Sequence, residues 1–135
     1  MMLEDARDYI ASLNMADHVY MGKLPDKEEK SIGVYNSKHQ HVYHTALGGP
    51  SLEGYGEKYV TILMHWNKSP RDTEKAATEL FDKLRAMRDA TINNVTIKFF
   101  QHFDPVQDVG TDDAVIYEMV FDGAFIYEMK EGINA

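Results

Sequence analysis

The stretch Lys58–Trp66 limits the fold more than any other part of this chain. Val60, Ile62, Met64 and Trp66 fall on one side of an extended backbone, and Tyr59, Thr61, Leu63 and His65 fall on the other. Both sides are largely apolar, so the strand is predicted to sit inside a sheet and not at its rim. Ser69-Pro70 follows almost at once. The Ser69 hydroxyl can accept a hydrogen bond from a free backbone N–H at a helix start. Pro70 suits the first helical position, where its missing N–H costs nothing. Asp72 and Glu74 then lie in the first turn and Arg85 and Arg88 in the last, the arrangement the helix dipole favours. Ala76, Ala77, Leu80, Phe81, Leu84 and Met87 give the buried stripe of a helix running to Met87 or Asp89.

The remaining elements are read around this pair. Leu3, Ala6, Ile10 and Leu13 recur at helical spacing, which predicts a first helix over Leu3–Leu13 with Asn14 as its stop. His18–Leu24 and Ser31–Tyr35 read as short strands, separated by Pro25 and the charged turn Asp26–Lys30. Residues 36–57 hold five glycines and prolines and little periodicity, although His41–Leu47 has strand character. A connection of this length is usually functional or disordered. Its apolar anchors Tyr43, Leu47, Leu52 and Tyr55 are read as resting on something, another subunit being the candidate. Val95–Phe103 alternates, with Val95, Ile97, Phe99 and Phe103 expected inward and Thr96, Lys98 and His102 outward. Asp104–Asp113 reads as an acidic turn region.

The last segment, Ala114–Met129, poses a choice. Asp122-Gly123 is a hairpin signal. A straight strand instead aligns Val115, Tyr117, Met119, Phe121, Gly123, Phe125, Tyr127 and Met129 on an uncharged face, with Glu118, Asp122, Glu128 and Lys130 opposite. The straight strand separates polar from apolar better and is preferred, with Gly123 marking a bend or bulge. The expected fold class is α+β: one domain over residues 1–135, with a mainly antiparallel sheet and two helices packed on one face.

Composition removes several function classes. Twenty-two acids against fourteen bases give a formal charge of −8, which argues against a surface that grips duplex nucleic acid. No cysteine is present, so no disulfide, thiolate metal site or thiol nucleophile exists. No apolar run approaches the roughly 20 residues that span a bilayer. Glu4, Asp5, Arg7 and Asp8 make the first residues unlike a signal peptide, and synthesis in the cytoplasm is expected.

The chemistry-bearing residues converge poorly. His39, His41 and His44 are the metal candidates, but the third has the wrong parity to join the other two on one strand face. No tightly bound metal and no cofactor are expected. His65 and His102 could serve as an acid–base pair, yet no nucleophile elbow, phosphate loop or dinucleotide fingerprint accompanies them. Gly48-Gly49 and Gly54-Tyr55-Gly56 lack the Lys-Ser/Thr of a nucleotide site and read as turns. A small acidic domain with aromatic strands and no catalytic set suits a structural or assembly subunit better than an enzyme.

One resemblance sharpens this. The chain runs from an amphipathic helix through Met21-Gly22-Lys23-Leu24-Pro25-Asp26 and Ile32-Gly33-Val34-Tyr35 to a Gly-rich loop. Val60-Thr61-Ile62-Leu63-Met64-His65-Trp66 follows, then Ser69–Leu84 with Thr73, Glu74, Ala76 and Ala77, and finally a long aromatic strand. This layout resembles the small minor capsid proteins of tailed bacteriophages and of prophages in Gram-positive bacteria. It is similar to phage tail terminator, or tail completion, proteins, with Lys58–Leu84 the most specific part. The resemblance implies a homo-oligomeric ring, typically of six subunits, in the tail or neck of a virion. Such a ring sits on the last ring of tail tube protein, ends tube growth and joins the tail to the connector proteins of the head. It implies no catalytic residues and no membrane. DNA would pass through without specific binding, which makes Asp104, Asp108, Asp112 and Asp113 candidates to line the channel, with Asp26, Glu28 and Glu29 as a second set. Another neck ring protein, such as a head-closure or connector adaptor, and a small ligand- or metal-binding α+β domain using the His39–His44 segment, are the alternatives.

Overall fold

A computed structural model of the protein describes residues 1–25, 28–38 and 54–129. The elements are α1 (Leu3–Ser12), β1 (His18–Met21), β2 (Ser31–Asn36), β3 (Tyr55–His65), α2 (Pro70–Ala86), β4 (Ala90–Ile92), β5 (Val95–His102), β6 (Gln107–Thr111) and β7 (Tyr117–Glu128). The strands form one sheet in the order β1-β2-β3-β7-β5-β4, with β6 also paired to β7. Every pairing is antiparallel except β1–β2, which is parallel. The fold is α+β, with a mixed, mostly antiparallel sheet.

The strand Lys58–Trp66 is interior, as its two apolar faces predict, and β3 pairs with β2 and β7. The chain also keeps the straight strand: β7 runs unbroken against β3 from Tyr55↔Glu128 to His65↔Glu118. Its other side is shared. β5 pairs with the half from Gly123 to Tyr127, and β6 with the half from Tyr117 to Val120. Gly123 marks neither bulge nor break, contrary to expectation. The ring of Phe100 lies over it instead, where an added Cβ would stand 2.4 Å from Phe100 Cε2 and Cζ and 2.6 Å from the Gln101 carbonyl oxygen.

Both helices cover the same face. Ile32, Val34, Val60, Ile62, Met64, Phe121 and Phe125 lie on it, all buried. Tyr9 of α1 meets Phe125 edge-on at 5.9 Å between ring centres, and Phe81 of α2 meets Phe121 edge-on at 5.6 Å. Phe100 completes the aromatic cluster, 4.7 Å from Phe125. α2 lies over β3, β5 and β7, whereas α1 touches β1, β2 and β4. One short helix therefore reaches strands at opposite ends of the sheet order, which requires the sheet to curl. Asn93, in the turn between β4 and β5, fastens that closure by donating to Asp5 Oδ1 at 3.0 Å and Asp8 Oδ2 at 2.8 Å.

The Ser69 cap and the buried stripe hold, whereas α2 ends at Ala86, so that Lys83 and Arg85 supply the basic last turn and Arg88 lies beyond it. Ser69 Oγ accepts from the Asp72 N–H at 3.2 Å, and Thr73, Ala76, Ala77, Leu80 and Leu84 are buried. Asn14 follows α1 with φ 55, the left-handed conformation that Asn tolerates.

Several expectations need correction. The register between β5 and β7 shifts between Ile97 and Phe99. Such a bulge reverses the alternation beyond it, so Phe99 is exposed while Phe100 and His102 turn to the helix-covered side. Val115 is no part of the last strand; it sits in a turn with φ 63 and is 57% exposed. The acidic region Asp104–Asp113 contains a strand, β6. β4 precedes β5 through Asn93-Asn94, both with positive φ, the conformation a tight two-residue hairpin needs. β3 starts at Tyr55, inside the expected 36–57 loop, and β1 ends at Met21 before Gly22 at φ 87. The anchors Tyr43, Leu47 and Leu52, and His39, His41 and His44, lie outside the described residues.

Candidate interaction surfaces

His65 and His102 do not form a pair. Alternation along β3 places His65 on the face away from the helices, whereas His102 stacks on Phe81 of α2 at 3.6 Å between ring centres. The His102 Nε2 lies 3.0 Å from the Phe81 carbonyl oxygen, so Nε2 carries the proton and donates. Burial pushes its pKa below the usual histidine value. It is a core histidine wedged among Phe81, Phe100 and Phe121. Among the described residues, no group of three or more His, Asp or Glu is placed to hold a metal ion.

Two surface features stand out instead. The first is a groove of about 700 Å³ on the face away from the helices, at the end of β7 near Glu128. The pairings Glu57↔Ile126 and Phe99↔Ile126 bring these side chains together across β3, β7 and β5. Ile126 forms the floor and is buried, while Tyr55 is 59% exposed and Phe99 39% exposed. The rim carries both signs: Arg88 and Lys98 toward β5, Glu57 and Glu128 toward β3. Lys98 Nζ is paired with Asp89 Oδ1 at 2.5 Å. Of the four anchors read from the sequence, Tyr55 is thus found at an apolar recess. Phe99 and Ile126 were missed, because simple alternation through β5 points Phe99 inward and the bulge reverses it.

The second feature is an acidic tip at the other end of β7. No Lys or Arg occurs from Phe99 to Met129. Asp108 and Asp113 are exposed there, beside Val109 and Val115, which are 54% and 57% exposed; Asp104 is exposed as well but follows Phe103, whose N–H donates to the Asp122 carbonyl midway along β7. Asp112 behaves differently. Its Oδ1 accepts from the backbone N–H groups of Ala114 at 2.8 Å and Ile116 at 2.9 Å, and its Oδ2 meets His65 Nε2 at 2.6 Å. The hydrogen bond from His65, followed by those two amides, holds its carboxyl below the usual pKa. In the second acidic set, Glu28 accepts from the Tyr20 hydroxyl at 2.5 Å and the Ser31 hydroxyl at 3.1 Å, and Asp26 lies outside the described residues. At about 3.3 Å of rise per residue, the seven or eight residues of β7 from Ile126 to Met119 and Glu118 put groove and acidic edge roughly 25 Å apart.

The sheet thus carries an apolar recess at one end of β7 and an acidic edge toward the other. A family model described as bacteriophage tail terminator protein matches residues 2–129. The chain belongs to the bacteriophage tail terminator family. No curated protein matches it. Membership places the protein in a structural family of the phage tail that engages the tail tube, without known catalysis. The match covers nearly the whole chain, including the Lys58–Leu84 stretch on which the sequence resemblance rested most.

Proposed function

We propose that this terminator closes into a homo-oligomeric ring, of six copies, on the head-proximal end of the tail tube, where it ends tube growth and presents the surface that joins the connector proteins of the head. The observation that carries this reading is the separation of two unlike surfaces along β7. A ring is built from head-to-tail contacts, and these need two different patches on each subunit. The groove around Tyr55, Phe99 and Ile126 supplies an apolar patch away from the acidic tip. Tyr43, Leu47 and Leu52 join Tyr55 as candidates for the subunit contact.

In this reading Asp104, Asp108 and Asp113 face the lumen. Carboxylates there release no counterions from DNA and give it no grip, so the duplex passes without specific binding. The repulsion is short-ranged, because exposed charges are screened beyond about 8 Å at physiological salt. The protein is made in the host cytoplasm and ends in the virion.

The test mixes the purified protein with tail tubes and measures solution mass and tube ends by negative-stain imaging. The expected outcome is rings seated at tube ends and arrested tube growth. A protein that remains monomeric and never decorates a tube end would overturn the proposal. Rings that bind purified connectors but ignore tubes would move it to another position in the neck.

A further inference from the structure

Three segments distant in sequence meet at the imidazole of His65, which is 3% exposed. Nδ1 lies 2.6 Å from the carbonyl oxygen of Glu28, in the connection between β1 and β2. Nε2 lies 2.6 Å from Asp112 Oδ2, in the turn before β7. A carbonyl oxygen has no proton to give, so Nδ1 must donate. An ionised carboxylate has none either, so Nε2 must donate as well. A neutral imidazole owns one N–H. Both contacts are satisfied together only by an imidazolium facing a carboxylate, and the two backbone amides that donate to the other oxygen of Asp112 favour its ionised form as well.

The groups around the ring favour that charge. Asp112 faces it from the turn and Glu28 from the β1–β2 connection, and Glu118 of β7 is paired across the strands with His65 itself. Burial pushes the Glu118 carboxyl up. Once ionised, it adds a further negative charge beside the ring. Two further titratable groups reach this cluster through Glu28: His18 stands 3.6 Å from Glu28 Oε1, and the Tyr20 hydroxyl donates to the same oxygen at 2.5 Å.

The turn held by this contact is under tension. Val115 occupies the left-handed region at φ 63, a conformation a β-branched side chain resists. Such a residue persists only where its surroundings over-determine it. Here the restraints are the Asp112 carboxylate on the Ala114 and Ile116 amides, the Val115 N–H on the Asp112 carbonyl at 3.0 Å, and the tie to His65. We propose that the His65–Asp112 contact is a proton-operated latch: the imidazolium locks the Asp112–Ile116 turn onto β3, and loss of the ring proton sets one lone pair against another and frees the turn. The latch closes as pH falls and opens as pH rises, and it controls how Val115 and the neighbouring β6 edge are presented. This goes beyond the ring reading and does not depend on it.

Nitrogen-15 NMR of the full chain tests the latch. Ring nitrogen shifts distinguish imidazolium from either neutral tautomer, and the Ala114, Val115 and Ile116 amides report the turn. The expected result is a doubly protonated His65 ring in the closed form. As pH is raised, the ring loses one proton and the three amides shift with the same midpoint. Asp112→Asn keeps an oxygen for the amides and removes the charge, so the pH-dependent movement at Ala114 and Ile116 should vanish. His65→Gln serves as a second variant, and if it fails to fold, the parent titration and Asp112→Asn still decide. A His65 ring that is neutral throughout, amides that move with a different midpoint, or an unchanged titration in Asp112→Asn would each overturn the proposal.

Discussion

On the helix-covered face of the sheet, Ile32, Val34, Val60, Ile62, Met64, Phe121 and Phe125 are buried, and volume and shape decide what fits. On the opposite face, the interactions are polar and pairwise. The Thr61 hydroxyl donates to Asp122, the Tyr59 hydroxyl donates to Glu57 at 2.5 Å, and His65 is held between Glu28 and Asp112. This face also carries apolar side chains, of which Ala124 and Ile126 are buried whereas Tyr55 and Phe99 remain exposed. The contrast separates two tasks: one face holds the molecule together, and the other fixes particular conformations and, in the proposed ring, offers contacts to partners.

The strongest way to break that comparison is to remove volume from the covered face. Phe125 is fully buried between Tyr9 and Phe100. Phe125→Ala should cost about 3–5 kcal/mol by lost transfer energy and a cavity, read by chemical denaturation. A loss under about 1 kcal/mol would mean that the aromatic cluster is not the centre of the core. A smaller effect comes from acid. Partial burial holds the folded pKa of His102 below its unfolded value. Its contribution is therefore present above the unfolded histidine pKa of about 6.5 and is lost as pH falls through the lower, folded value. Between neutral pH and mild acid, His102→Phe should flatten the fall in melting temperature relative to the parent. Equal slopes would show that His102 takes up its proton without penalty.

The smallest stability change belongs to the opposite face. Tyr55→Ser and Phe99→Ser should each alter stability by no more than about 0.5 kcal/mol, because neither side chain leaves water on folding to the degree the core residues do. Together they should weaken self-association or capture at tube ends. If the double variant unfolds readily and assembles normally, the division between the two faces is wrong.

The same division explains what could be read from the sequence. Lys58–Trp66, the Ser69 cap and the straight β7 follow from periodicity, which is the imprint of a covered face. The reversal at Phe99 does not, since one extra residue in β5 leaves the composition of the strand unchanged while exchanging its faces. β6 is a short strand with mostly exposed residues, so no apolar alternation announces it. Asn93-Asn94 did carry a usable hairpin signal. The parallel β1–β2 pairing and the His65–Asp112 contact depend on residues brought together by topology, and no local pattern encodes either.

The position of β7 also bears on how the protein is made. It supplies the only partner of β6 among the described strands and bridges β3 to β5. Phe121 and Phe125, which pin the two helices, arrive with it. A ribosome delivers this strand after everything up to Ile116. Before that moment α2 has no aromatic floor in β7, and the edges of β3, β5 and β6 that β7 will pair are open. An interrupted translation product therefore lacks the centre of its sheet and both ends of the β7 scaffold that separates recess from tip. Synthesis of β7 and closure of the sheet thus coincide, so a fragment that stops before Tyr117 lacks both surfaces on which the proposed ring contacts rest.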